Sequence, residues 1–367
     1  MKTWIWLAVA FCLAGCSSDD QLQEDTPASK KGSFVAVGED LNKVFQYNYN
    51  AISDSGITFD LTQELGIPPT YLTLGQKEDL LSFYTFSTGA FSLATKDIST
   101  GAVNTFPSFY NNIADRSVAW GVNNETTAFF AYFGPAGSRN LGILAADLDG
   151  SNQIDANVDF NVERTLGPML YDGILYISYR DLQGNYKLTI YDTNLGTVGT
   201  ILNFGATAFS FLITENGDLA IFKNEVSPTL EIYDSKSLAF IENVTLDINL
   251  GFSPGPVDDA FLIDDKIYFN VGYPQPSRFA TGPAIYDLNS QELAILDLFA
   301  LTNEVEEEIG QTLQITTQVY HKSEKVFLTG YGTVGDDVLG GVFQASTDGK
   351  LLENITLPFF PTYFVRN

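Results

Sequence analysis

Residues 168–180 read PMLYDGILYISYR, and their pattern decides the fold. A short apolar run stops at the polar pair Asp172-Gly173, and a second run rich in aromatic and β-branched residues follows. Runs of this length, parted by turn residues, mark an antiparallel strand pair. The unit recurs as FVAVGEDLNKVFQYNY (34–49), YLTLGQKEDLLSFYTF (71–86), VAWGVNNETTAFFAYF (118–133), FLITENGDLAIFKN (211–224), AFLIDDKIYFNV (260–271) and QVYHKSEKVFLTGY (318–331). A third strand closing on an acidic turn follows most copies, as in LTIYDTNLG (188–196), LEIYDSKSL (230–238) and AIYDLNSQE (284–292). Weaker versions are ITFDLTQEL (57–65), SLATKDISTG (92–101), ILAADLDGS (143–151) and VFQASTDGK (342–350). A fourth apolar stretch closes the unit, as in TVGTILNF (197–204) and LAILDLF (293–299).

A repeat of roughly 40–60 residues and four strands is the period of a propeller blade. A lone sheet of this kind leaves both faces wet, and radial packing covers them. The sequence therefore predicts an all-β protein, a β-propeller of seven four-stranded blades, with six or eight as the neighbouring alternatives. The first copy leaves little room for a fourth strand between Gln63 and Thr70, and the tail PTYFVRN (361–367) is available to supply the missing edge. Phe45, Phe83, Phe130, Tyr176, Tyr268 and Phe327 recur at one repeat position, which assigns them to packing between blades.

Ahead of this body lies a segment of another kind. Lys2, the apolar run 4–13 and Leu13-Ala14-Gly15-Cys16 have the order of a signal peptide ending in a lipidation site. Residues 1–15 are thus expected to be removed and Cys16 to carry lipid. Residues 16–32 then form a polar tether, and 33–367 the propeller. Cys12 leaves with the signal, so the mature chain has no thiol for catalysis, zinc or disulfides. His321 is the sole histidine, which removes robust Ser-His-Asp triads and multi-histidine metal sites. With 45 acidic against 19 basic residues, a net charge of -26 repels phosphate backbones, so no nucleic acid partner is expected.

Several tempting sites read as structure. Asp147 to Asn152 resembles part of a calcium loop, yet Ala145 and Ala156 would fill its first and last ligand positions. The equivalent places in other copies are hairpin turns, so no metal or cofactor is expected. The EVEEE run (304–308) reads as a solvated loop or short helix, and His321 as a solvated turn residue. In a blade, the 2–3 loops and the 4–1 connections share one face. Arg116 and Arg164 fall just before first strands, and Arg139, Arg180 and Arg278 in 2–3 loops, so all five project to that face. Lys43, Lys77, Lys236, Lys266, Lys322 and Lys350 fall mostly in turns of the opposite face. The longest loops, at 134–140, 272–283 and 331–341, join the arginine face and add Tyr273 and Phe279 as stacking groups. Arginine holds planar oxyanions bidentately and stacks on rings. These seven residues are the candidate ligand-binding set. Local salt bridges on an acidic surface are the competing explanation.

The stretch FVAVGEDLNKVFQYNYNAISDSGITFD (34–60), followed by YLTL, QKED and SFYTF, resembles the start of Bacteroidota propeller lipoproteins. Ser17-Ser18-Asp19-Asp20, directly after Cys16, resembles their export signal to the outer face of the outer membrane. Some members of that group are encoded beside TonB-dependent receptors and capture ferric siderophores. The resemblance implies a surface protein, held to the membrane by its lipid alone, that passes a small anionic ligand to such a receptor. No catalytic residue is assigned, and no enzyme activity is expected. The alternatives are a carboxylate-based, carbohydrate-active propeller enzyme working through an Asp/Glu pair, or a protein-interaction scaffold.

Overall fold

The structure, a computed structural model, describes residues 30–334 and 339–366. The signal peptide, Cys16, the tether through residue 29 and the middle of the 331–341 loop lie outside the described residues. The compact body starts at Lys31, two residues before the expected boundary. Lys31 is already tied down by ion pairs to Asp54 (2.6 Å) and Glu353 (2.9 Å). Both backbone groups of Gly32 bond to the buried Gln344 side chain at 2.7 and 2.8 Å.

Seven sheets form the ring. From the inner strand outward, blade 2 runs Thr73–Lys77, Leu80–Ser87, Ala90–Asp97 and Val103–Asn111, and blade 3 runs Ser117–Asn123, Thr127–Phe133, Leu141–Asp147 and Gln153–Asp159. Blade 4 runs Val162–Tyr171, Ile174–Asp181 and Tyr186–Asp192, with its outer edge broken into Thr197–Val198 and Leu202–Asn203. Blade 5 has Phe209–Ile213, Leu219–Lys223, Thr229–Tyr233 and Phe240–Thr245, and Gly255–Pro256 pairs in parallel with its inner strand. Blade 6 runs Phe261–Ile263, Lys266–Gly272, Thr281–Asp287 and Glu292–Ile295. Blade 7 runs Thr312–His321, Val326–Val334, Gly340–Ser346 and Leu351–Leu357.

Blade 1 corrects the reading of the first repeat. Its inner strand is Phe360–Phe364 from the far end of the chain, followed outward by Phe34–Glu39, Val44–Asn50 and Ser55–Asp60. The tail does close the ring, but from the inside. The 34–49 hairpin supplies strands two and three, so the turn carrying Lys43 lies on the arginine face, where Lys43 pairs with Asp60 at 2.5 Å. Glycine makes the junction fit. A Cβ at Gly38 would collide with the Phe360 carbonyl, and one at Gly340 with the Phe359 carbonyl.

Strand alternation explains why the repeats carry paired aromatics. Successive side chains leave a strand on opposite faces, and each face of a blade meets a different neighbour. Phe83 therefore packs at the junction of blades 1 and 2, and Tyr84 at that of blades 2 and 3. Phe130 joins the latter cluster, while Phe129 packs between blades 3 and 4. Ala36 and Val37 divide in the same way between blades 7 and 2. One apolar cluster occupies each junction. Burying a Phe or Leu there contributes about 1.5–3 kcal/mol. The recurring acidic turn has a local cause. Asp97, Asp192 and Asp287 each accept backbone N–H bonds from the residues two and three further on, at 2.9–3.0 Å.

Among the described residues, two helices interrupt the pattern, both in connections between blades. α1 (Leu61–Leu65) is capped by Asp60 and buries Leu61 and Leu65 between blades 1 and 2. α2 (Leu298–Ile309) contains the EVEEE run and buries Leu298, Leu301, Thr302 and Val305 at helical spacing. Among the described residues, no helix is long and apolar enough to cross a membrane.

Candidate functional site

The central channel is lined by the inner strands, and its arginine-bearing end widens between blades 2 and 3 into a cavity of about 610 Å³. That lies within the range of small-molecule sites. Leu72 and Thr73 come from the start of blade 2's inner strand, Arg116 to Gly121 from the start of blade 3's, and Pro168 from blade 4. Tyr84, Phe86, Phe91 and Phe130 supply aromatic wall, and Leu72 and Phe86 are exposed, which leaves apolar surface at the mouth. Trp120 donates its indole N–H to Thr165 Oγ1 at 3.0 Å, fixing the ring between blades 3 and 4.

Arg116 belongs to this cavity, as its place before an inner strand requires. Its guanidinium lies 4.6 Å from the Tyr132 ring centroid, pairs with Asp155 at 2.6 Å and donates to the Tyr110 hydroxyl at 3.4 Å. Burial, with the adjacent Asp155 carboxylate, pushes the Tyr132 phenol up to about 12, so it remains a donor. Three more of the expected arginines gather next door at Glu163. Arg180 pairs with the Glu163 carboxylate at 3.0 Å, and Arg139 donates to the Glu163 carbonyl at 3.4 Å. Arg164 is the strand partner of Arg180 and immediately precedes Thr165. It is exposed, and its side chain makes no hydrogen bond or ion pair with another described residue.

Arg278, Tyr273 and Phe279 are not brought to this place. They seat α2. Arg278 makes a two-pronged ion pair with Glu306 and donates to the Leu313 carbonyl at 2.7 Å. Phe279 is only 5% exposed and packs on Phe299 at 5.1 Å between centroids, with Tyr273 half-buried beside the same ring. Both rings pack on the helix, and Phe279 also lines a second cavity, between blades 6, 7 and 1. Conversely, Trp120, Phe86 and Phe91 belong to the cavity and were not among the expected site residues. Their signal was in the sequence, because Trp120 lies on a first strand whose start faces the channel.

Two further expectations meet the structure here. The turn after Leu141–Asp147 is a hairpin turn in which Asp149 accepts the Ser151 backbone N–H at 2.8 Å. His321, expected in solvent, ends a strand and is only 4% exposed, with Ser323 Oγ 3.3 Å from Nδ1. Burial pushes its pKa below the ordinary 6.5, against a smaller opposing pull from Glu324. The unfolded chain therefore takes up this proton before the folded one does. Stability should fall as pH drops below about 6.5, with the carboxylates contributing from about 5 downward. His321→Gln should flatten the melting temperature between those limits. An unchanged slope there would assign it to other groups.

No protein-family model matches the chain, and no curated protein sequence matches it. Solved structures of similar shape include puromycin hydrolase, with 15% identity over 88% of this chain and 53% of that one, at a TM-score of 0.49. The β-propeller domain of the Trilobed protease from Pyrococcus furiosus has 14% identity over 88% and 95% of the two chains, at 0.45. TolB from Acinetobacter baumannii has 13% over 90% and 80%, at 0.40. The chain spans about half the length of the puromycin hydrolase it matches. At these scores the likeness adds nothing to the propeller already described.

Proposed function

We propose that this propeller is a non-catalytic, lipid-anchored binding protein of the outer-membrane surface. It captures a small anionic aromatic ligand, of the ferric siderophore class, and passes it to a TonB-dependent receptor. The observation that carries the reading is the aromatic cavity at the channel mouth, with Arg116 in its wall and the unpaired Arg164 on the inner strand of blade 4, the strand that lends it Pro168. Aromatic walls supply stacking area, and guanidinium groups supply charge-assisted hydrogen bonds to oxyanions. Elsewhere the net charge of -26 repels anions, so a local positive patch also steers them. The enzyme alternative needs a carboxyl group held protonated near neutral pH. The described carboxyl groups with a resolved shift are all moved the other way. Asp181 goes as far as about 2 despite its burial, because Asn185 and Lys187 bond its charged form.

The cavity carries its own reporter. Of the three tryptophans, Trp4 and Trp6 fall in the expected signal peptide, which leaves Trp120 alone in the mature chain. Titration with a ferric catecholate should quench this single emission saturably. Full emission throughout would place the site elsewhere or refute the ligand class. For the anchor, Cys16→Ser should move the protein from the membrane to the soluble fraction, and unchanged partition would refute lipidation at that residue.

A further inference from the structure

The opposite side of the channel holds a second cavity of different chemistry, about 380 Å³, between the inner strands of blades 6, 7 and 1. Its wall sets Phe279, Tyr363 and Phe364 beside a cluster of amide, hydroxyl and carboxylate groups. Gln318 lines it and is 9% exposed, its Oε1 accepting from Thr281 Oγ1 at 3.0 Å. Asn270 lines it too, its Nδ2 donating to the Gln318 carbonyl at 3.2 Å and to Asp259 Oδ2 at 3.5 Å. Each amide is left with one buried atom that bonds to no described residue, namely Gln318 Nε2, a donor, and Asn270 Oδ1, an acceptor. An unsatisfied buried polar atom costs about 1–3 kcal/mol, so two behind one cavity wall favour a partner toward which the amides can turn.

Charge narrows that partner. Asp259 stands at the rim, and Arg366, which also lines the cavity, is already engaged by Asp258 at 3.7 Å and by the Tyr363 ring at 5.0 Å. Two carboxylates against one occupied guanidinium disfavour an anion. A hydroxyl group both donates and accepts, so it satisfies Gln318 Nε2 and Asn270 Oδ1 alike, and Asp259 accepts from a neighbouring hydroxyl. The geometry points to a binding site for a neutral polyhydroxylated molecule of monosaccharide size, separate from the anion site across the channel and independent of it.

The test is calorimetric titration of the intact protein with D-glucose, D-galactose, D-mannose and myo-inositol, with glycine as a zwitterion of similar polarity. Wild type should bind at least one of the four polyols and not glycine. Gln318→Met keeps the side-chain volume and removes both amide functions, and Asp259→Ala alters an exposed rim position. Each should weaken polyol binding at least tenfold, while quenching of Trp120 by the ferric catecholate stays as in wild type. If Gln318→Met fails to fold, Asp259→Ala decides alone. Absence of polyol binding, preference for glycine, or wild-type affinity in the folded variants overturns the assignment, and none of these outcomes touches the aromatic cavity.

Discussion

Phe364→Ala should lower the unfolding free energy by about 3–5 kcal/mol, the cost of truncating a buried phenylalanine. Ile57→Ala, in the same blade, should change it by about 0.5 kcal/mol or less. The contrast follows from the closure. Phe364 is 2% exposed in the closing inner strand and packs against Phe34, Val319 and Leu328 at the junction of blades 7 and 1. Ile57 is 63% exposed on the outermost strand. Urea unfolding with an unchanged m-value gives both numbers from the midpoint shift. Equal losses, or a negligible loss at Phe364, would mean that the ring is not held shut from within.

Arg139→Glu combined with Arg164→Glu should weaken ferric catecholate binding at least tenfold, about 1.4 kcal/mol. The melting temperature should hardly move. Each lost charge-assisted hydrogen bond removes roughly 1.5–3 kcal/mol, and the introduced carboxylates repel the ligand as well. Stability is spared because both residues are exposed and neither neutralises a carboxylate. Arg278→Glu is the informative control. It breaks the Glu306 pair that seats α2, so it should lower the melting temperature while leaving Trp120 quenching intact. Equal quenching in wild type and in the double variant would make the patch at Glu163 a surface ion-pair group with no part in binding.

The propeller was legible because its signal is local and repeated. Each hairpin carries its own alternation and turn, and six of the seven copies occupy the strand positions expected of them. The seventh misled for a physical reason. An antiparallel pair looks the same in sequence whether it supplies strands one and two or two and three, and the strand that decides lies at the other end of the chain. The same limit applies to the site. The topology of loops placed the arginines on one face without knowledge of any contact. It could not show that Arg278 would meet Glu306 or that Arg116 would meet Asp155, because those carboxylates lie 28 and 39 residues away. Reading 293–299 as one closing strand missed the helical spacing of Leu298, Leu301 and Val305: the strand is Glu292–Ile295, and α2 covers Phe279 because the chain turns after blade 6. His321 looked solvated because its neighbours Lys322, Ser323 and Glu324 are polar, while its burial comes from strands far away in sequence.

The clasp that joins the two ends of the ring also sets an order of events. Blades 2 to 7 can pair their strands from local hairpins as the chain emerges, but Gly32 must find Gln344 across 312 residues, and Phe34–Glu39 must wait for Phe360–Phe364. Contacts of such long sequence separation form slowly, because the loop must close before they reward it. Until then Phe34–Glu39 has an open hydrogen-bonding edge, the feature that invites pairing with foreign strands. Ring closure thus acts as a completeness check on each copy. A chain that lacks its closing strand, or stalls before delivering it, keeps that edge on display to chaperones and proteases.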